Sequence, residues 1–104
     1  LPKWYEQSKP SWFGFLLTVK TNAPFTKNDI VLYLEKNKIA TRMLFGGNIL
    51  RQPAYIGKNH RVVSELNNTD FVTTNGFWLG VYPGIKRNHI NYIIDVLDAF
   101  LKNK

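Results

Sequence analysis

TKNDIVLYLEKNKIATRMLF, residues 26–45, changes periodicity half-way along, and that change decides the fold. Thr26 followed three positions later by Asp29 is a helix start in the style of a capping box, with Asp in place of the usual Glu. The spacing predicts a helix from about Lys27 to Asn37. Ile30, Val31 and Leu34 form its buried stripe, and Lys27, Glu35 and Lys38 face water. From Ile39 the pattern alternates instead: Ile39, Thr41, Met43 and Phe45 fall on one side, Ala40, Arg42 and Leu44 on the other. That is a strand over Ile39–Phe45, with Arg42 on the face that Met43 and Phe45 do not use.

Upstream, Ser11–Lys20 reads as a strand ended by Asn22-Ala23-Pro24, with Phe13, Phe15, Leu17 and Val19 opposite Trp12, Gly14, Leu16 and Thr18. Both faces are largely apolar, so each needs some cover. Leu1–Pro10, punctuated by Pro2 and Pro10, is a lead-in whose Trp4 and Tyr5 belong to no periodic pattern. Downstream, Gly46–Asn68 is mostly loop, with a helical turn at Ile49–Gln52 and a weak extended piece at Arg61–Ser64. A short helix is expected over Asn67–Asn75, capped by Asn68 or Thr69. Gly76 then feeds a strand Phe77–Tyr82. Pro83-Gly84 turns the chain into a last amphipathic helix, about Lys86–Lys102, marked by Ile90, Ile93, Ile94, Leu97, Phe100 and Leu101. Lys86 and Arg87 put positive charge where the helix dipole prefers negative.

A helix crossover joins the first two strands, so they run the same way, and the third can enter between them antiparallel to both. The fold class is therefore α+β: a split βαβ arrangement, a three-stranded antiparallel or mixed sheet with helices on one face. The other face keeps too much apolar surface for water and should meet another domain or subunit.

At 104 residues the chain is one domain by length. It has no Cys, hence no disulfide, thiolate metal site or Cys nucleophile. No apolar run approaches the roughly 18 residues of a membrane span, so a soluble, cytoplasmic protein is expected. The 14 Lys and Arg against 7 Asp and Glu give +7, which favours an anionic partner. The basic residues are scattered, however, and form no nucleic-acid arm.

Within the loop, Gly46-Gly47-Asn48 and the following Arg51-Gln52-Pro53-Ala54-Tyr55 have no place in an apolar core. Arg42 on the preceding strand, a Gly pair that lets backbone approach closely and Arg51 just beyond would suit an anionic ligand. A plain turn between solvated Args fits the same residues. His60 and His89 have no partner suggesting acid–base work and read as surface residues.

Two family resemblances bear on the choice. Trp12-Phe13-Gly14-Phe15-Leu16 echoes the third-strand signature of the RNA-recognition motif. That signature belongs on an interior strand after a helix, whereas here it opens the fold with Ser11 in place of the flanking base, so no nucleic acid is expected. The broader resemblance runs from about Pro10 to Leu101. Pro10-Ser11-Trp12-Phe13-Gly14-Phe15, Thr41-Arg42-Met43-Leu44-Phe45, Gly47-Asn48 through Arg51-Gln52-Pro53-Ala54-Tyr55, Asn68-Thr69-Asp70 and Phe77-Trp78-Leu79-Gly80-Val81-Tyr82-Pro83-Gly84 stand in the order found in the DegT/DnrJ-type enzymes. These are pyridoxal-phosphate-dependent fold type I proteins acting on nucleotide sugars, and the stretch resembles their C-terminal small domain.

Aminotransferases of that family tend to carry His where this chain has Phe13, and His-Tyr with a second His where it has Leu44, Phe45 and Leu50. The chain thus looks more like the CDP-4-keto-6-deoxy-glucose 3-dehydrase branch of lipopolysaccharide deoxysugar synthesis, with a sugar-nucleotide aminotransferase as the alternative and a stand-alone binding module as a third class. The resemblance implies residues 1–10 as lead-in from a missing N-terminal large domain and 11–104 as the small domain. It implies PLP or PMP held mainly by that large domain, a possible [2Fe-2S] centre outside this chain, a nucleotide-sugar substrate and a homodimeric parent. It also implies site roles: Arg42, Asn48, Arg51 and Gln52 for substrate, with Tyr55 a weaker candidate, and Trp12 and Phe13 closing against coenzyme or sugar. The fragment alone is expected to be inactive.

Overall fold

The computed structural model describes residues 2–104. Its elements, in chain order, are strand β1 (Gly14–Thr18), helix α1 (Lys27–Lys36), strand β2 (Thr41–Met43), a single 3-10 turn at Ile49–Arg51, helix α2 (Asn67–Asn75), strand β3 (Gly76–Gly80) and helix α3 (Arg87–Lys102). The strand order is β1-β3-β2, and β3 pairs antiparallel with both neighbours, as the crossover argument requires.

The register sorts the side chains. Leu17 and Met43 flank Phe77, and Phe15 and Thr41 flank Leu79, all on one face. That face meets α1 and α3, and the core is Val19, Ile30, Leu34, Ile39, Phe77, Leu79, Val96 and Phe100. The rings of Phe25 and Tyr33 pack on Phe100 at 4.9 and 5.2 Å. On the opposite face Leu16 and Arg42 flank Trp78.

Local chemistry explains how α1 is held. Its capping box is complete: Thr26 N–H and Oγ1 donate to Asp29 Oδ2 at 2.8 Å, and Asp29 N–H donates back to Thr26 Oγ1 at 3.2 Å. Glu35, exposed as expected, and Lys27, half-buried, both also tie the helix to its surroundings. Glu35 Oε1 accepts from Thr41 N–H at 2.6 Å and Thr41 Oγ1 at 2.8 Å, satisfying donors at the start of an edge strand. Lys27 Nζ donates to the Thr73 carbonyl in the last turn of α2 at 2.6 Å.

Other elements depart from expectation at their ends. The strands are shorter than the alternation suggests: β2 pairs only through Met43, and in that register Phe45 would face Asn75, which already belongs to α2. Helix α2 begins behind Leu66 with no side-chain cap, not behind Asn68 or Thr69. The extended piece at residues 61–64 is absent. Where Lys86 and Arg87 open α3, the Lys86 N–H donates to His89 Nδ1 at 3.1 Å, so His89 supplies part of the missing cap.

The radius of gyration is 16.2 Å, against about 13 Å for a compact domain of this length. Residues 44–66 contribute nothing to the core.

Candidate functional site

On the open sheet face, Gly14 lies diagonally across from Trp78, and a Cβ there would come within 3.0 Å of the indole. The glycine therefore lets the indole lie over β1. Two phenyl rings flank that indole, Phe13 at 5.2 Å and Phe45 at 5.1 Å between centroids. Both remain more than three-quarters exposed. Alternation had put Phe13 with Phe15 and Phe45 with Met43, on the core face. Each instead turns to Trp78, because each sits just beyond the end of a paired strand, and Phe45 takes a positive φ of 48°. Arg42 stands directly across from Trp78 as its alternation required; it is exposed, and its Nη1 donates to the Thr41 carbonyl at 2.8 Å. Trp12 is not part of this cluster. Its ring meets Trp4 of the lead-in edge-on at 6.0 Å.

The second cluster is built on the loop after β2. Gly47 has φ +63° and passes so close to α2 that a Cβ would fall 2.7 Å from Thr73 Cγ2. This approach brings Asn48 onto the helix, where it is buried. Its backbone N–H donates to Thr73 Oγ1 at 2.7 Å, its Nδ2 to Asp70 Oδ1 at 2.7 Å, and its Oδ1 accepts from Leu50 N–H at 3.1 Å. Arg51 grips the same carboxylate through two bonds, Nε to Oδ1 at 3.2 Å and Nη2 to Oδ2 at 2.8 Å. Gln52 turns away from α2 and donates through Nε2 to the Gly46 carbonyl. A cavity of about 630 Å³ opens beside the clamp, lined among others by Asn48, Arg51, Tyr55, His60, Glu65 and Asp70.

Of the residues singled out from sequence, Arg42 and Phe13 lie on the open face and Asn48, Arg51 and Tyr55 at the loop cavity, while Trp12 against Trp4 and Gln52 on the Gly46 carbonyl belong to neither. Asp70 and Thr73, which hold the second cluster together, carried no role in the sequence. Asp70 had a signal only as the end of the Asn68-Thr69-Asp70 word, and Thr73 had none. Among the described residues no cluster of three or more His, Asp or Glu could hold a metal ion, and no helix is long and apolar enough to cross a membrane.

Three carboxyls sit below their ordinary range. Arg51, then Asn48, stabilises ionised Asp70; the Thr41 backbone N–H and hydroxyl do so for Glu35, and those of Thr26 for Asp29. A folded-state pKa below the unfolded value near 4 means that the unfolded chain binds more protons there. These contacts therefore contribute fully above about pH 4 and are lost as pH falls through the lowered values. Urea midpoints are expected to hold steady down to about pH 5 and to drop in more acid solution. Glu35→Gln should make that drop shallower, and an identical slope would dismiss the Thr41 contact as its source.

Residues 2–98 match the DegT/DnrJ/EryC1/StrS aminotransferase family. The chain belongs to that family. It is 42% identical over 100 residues to the lipopolysaccharide biosynthesis protein RfbH of Salmonella typhimurium, covering 96% of this chain and 23% of the relative. It is 45% identical over 101 residues to the dTDP-4-dehydro-2,6-dideoxy-D-glucose 3-dehydratase of Saccharopolyspora spinosa, covering 97% of this chain and 22% of the relative. The chain therefore spans under a quarter of the length of these curated relatives. In structure it is similar to the GDP-4-keto-6-deoxy-D-mannose-3-dehydratase of E. coli with bound hydrated PLP, at a TM-score of 0.78 and 24% identity over 89% of this chain and 24% of that one. That likeness shows a shared α+β fold.

Proposed function

We propose that residues 11–104, behind a lead-in of 1–10, are the C-terminal small domain of a PLP- or PMP-dependent nucleotide-sugar 3-dehydratase of deoxysugar and lipopolysaccharide synthesis, forming one wall of its active-site cleft. The observation carrying this reading is identity of 42–45% to the lipopolysaccharide protein and the dTDP-sugar 3-dehydratase across 96–97% of this chain. Phe13, Leu44 and Leu50, standing where aminotransferase relatives tend to carry His, and Phe45, standing where they carry Tyr, favour dehydration over amino transfer.

PLP needs a cradle for its phosphate and a partner for its ring nitrogen. The described residues do not build that seat: Arg42 Nη1 is turned onto a backbone carbonyl, and Asp70 is committed to Asn48 and Arg51. In this reading the coenzyme rests on a preceding large domain, as does any [2Fe-2S] centre, since this chain has no Cys. The whole enzyme is a cytoplasmic homodimer. This chain contributes binding, orientation and dryness. The Phe13–Trp78–Phe45 cluster presents an apolar lid that excludes water from the cleft, and Trp12 closes its margin. Arg42, through its guanidinium nitrogens other than Nη1, and Arg51 serve the sugar and diphosphate, while Asn48 and Gln52 hold the loop that presents Arg51. Charge-assisted bonds from the two Args are worth about 1.5–3 kcal/mol each when well formed.

The test is the full-length enzyme with a nucleotide 4-keto-6-deoxy sugar. Loss of the C3 hydroxyl is expected, and transfer of an amino group in its place would replace this reading with the aminotransferase one. Arg42→Ala is expected to raise KM at least about tenfold, near 1.4 kcal/mol of binding. An unaltered KM would remove Arg42 from the site.

A further inference from the structure

The loop clamp has a consequence for how Arg51 works. Its side chain is 70% exposed, so nothing in the way of packing holds it. An unrestrained arginine on a loop loses rotamer freedom each time it binds an anion. Here the restraint is in place beforehand. A guanidinium carries five N–H donors, and Asp70 takes one on Nε and one on Nη2. The Nη1 pair and the remaining Nη2 hydrogen make no bond among the described residues, so the outer edge of the fork stays available at the margin of the 630 Å³ cavity. The carboxylate is itself fixed, because Asn48 Nδ2 bonds the oxygen that Arg51 Nε uses, and Asn48 is buried and tied to Thr73.

We infer that Asp70 is a positioning residue of the substrate site: from α2 it fixes the Gly46–Tyr55 loop and aims the outer edge of the Arg51 guanidinium at the diphosphate of a nucleotide sugar. This rests on the function proposed above and adds to it a residue on a different element, 19 positions from the arginine it orients. Asp70 does not touch the ligand. It acts through Arg51, and its charge also sits in the first turn of α2, where the dipole favours it. Asn at position 70 would keep the size and one acceptor but lose the two-point grip, which needs both carboxylate oxygens.

The experiment measures dTDP binding by calorimetry in the full-length enzyme, wild type, Asp70→Ala, Asp70→Asn, Arg51→Ala and the Asp70→Ala/Arg51→Ala double variant, together with KM and kcat. Asp70→Ala is expected to weaken dTDP about fivefold, and to act on KM more than on kcat. In the Arg51→Ala background the same change should have less than about a twofold effect, because the residue it orients is gone. Equal effects in both backgrounds would make Asp70 a merely structural group and overturn the inference. So would dTDP binding untouched by either single change in an enzyme that still dehydrates its sugar. Should Asp70→Ala fail to fold, Asp70→Asn is read by the same criterion. If the wild type transfers an amino group while Asp70 and Arg51 remain coupled in dTDP binding, the dehydratase reading falls and the positioning role stands.

Discussion

Phe77→Ala is expected to destabilise the domain by about 3–5 kcal/mol, a large part of the roughly 5–15 kcal/mol that holds a small domain together. Phe77 is 1% exposed in the central strand, between Leu17 of β1 and Met43 of β2, and it belongs to the core that α1 and α3 close. The core is small, so no second layer can move in to replace the ring. Its neighbours moderate the cost. Leu17 is only partly buried and Met43 is 44% exposed, so the space left behind can partly collapse or admit water. Phe13→Ala is the control: it removes an equal ring from the open face, where 77% of the residue is already in water. Its cost should not exceed the roughly 0.5–1.5 kcal/mol of an aromatic pair. Urea unfolding of both variants decides the matter. Similar midpoints would mean that the two sheet faces have been assigned the wrong way round.

The sequence carried the sheet order because a helix between two strands constrains their direction, and β3 did enter antiparallel between β1 and β2. It carried α1 because the Thr26–Asp29 box is local, and α3 because sixteen residues keep one period. Strand ends were not legible in the same way. Alternation continues through Leu44 and Phe45, but a strand lasts only while it has a partner, and the register carries Phe45 past Gly76, where β3 begins, to Asn75 of α2. Phe45 then turns onto Trp78 through a positive φ that no pattern of apolar residues announces.

The site divided along the same line. Arg42 could be placed on the open face because side-chain alternation is a local property. The bonds around Asn48 span 22 and 25 residues to Asp70 and Thr73, and no spacing rule connects residues that far apart. Glu35 and Lys27 were assigned to water for the same reason: their partners, Thr41 and Thr73, become neighbours only once the strands and α2 are in position. In a chain with 14 basic and 7 acidic side chains, three of the acids are committed to holding backbone or loop in place.

Gly47→Ala is expected to push the Asn48 backbone off Thr73 of α2 while leaving the core folded. Two penalties combine. A non-glycine residue in the left-handed region costs about 1–2 kcal/mol, and Gly47 is held there at φ +63°. The new methyl would also lie 2.7 Å from Thr73 Cγ2 and 2.8 Å from its Oγ1, and forcing atoms into an occupied space costs about 1–3 kcal/mol. Thr73 Oγ1 cannot simply retreat, since it donates to the Thr69 carbonyl and accepts from Asn48. The combined strain of about 2–5 kcal/mol exceeds the roughly 0.5–1.5 kcal/mol of the neutral Asn48 N–H bond to Thr73 Oγ1, so that bond should open before the core unfolds, while the contacts of Asn48 and Arg51 to the Asp70 carboxylate still tether the loop. Hydrogen exchange at the Asn48 amide should then rise sharply, with protection at Phe77 and Leu79 retained. Thr73→Ala separates the two penalties. It removes the obstructing atoms, so adding Gly47→Ala to it should cost only the backbone share, about 1–2 kcal/mol. If the glycine replacement costs the same in both backgrounds, Thr73 is not what the loop is pressed against, and the close approach of Gly47 to α2 must be given up.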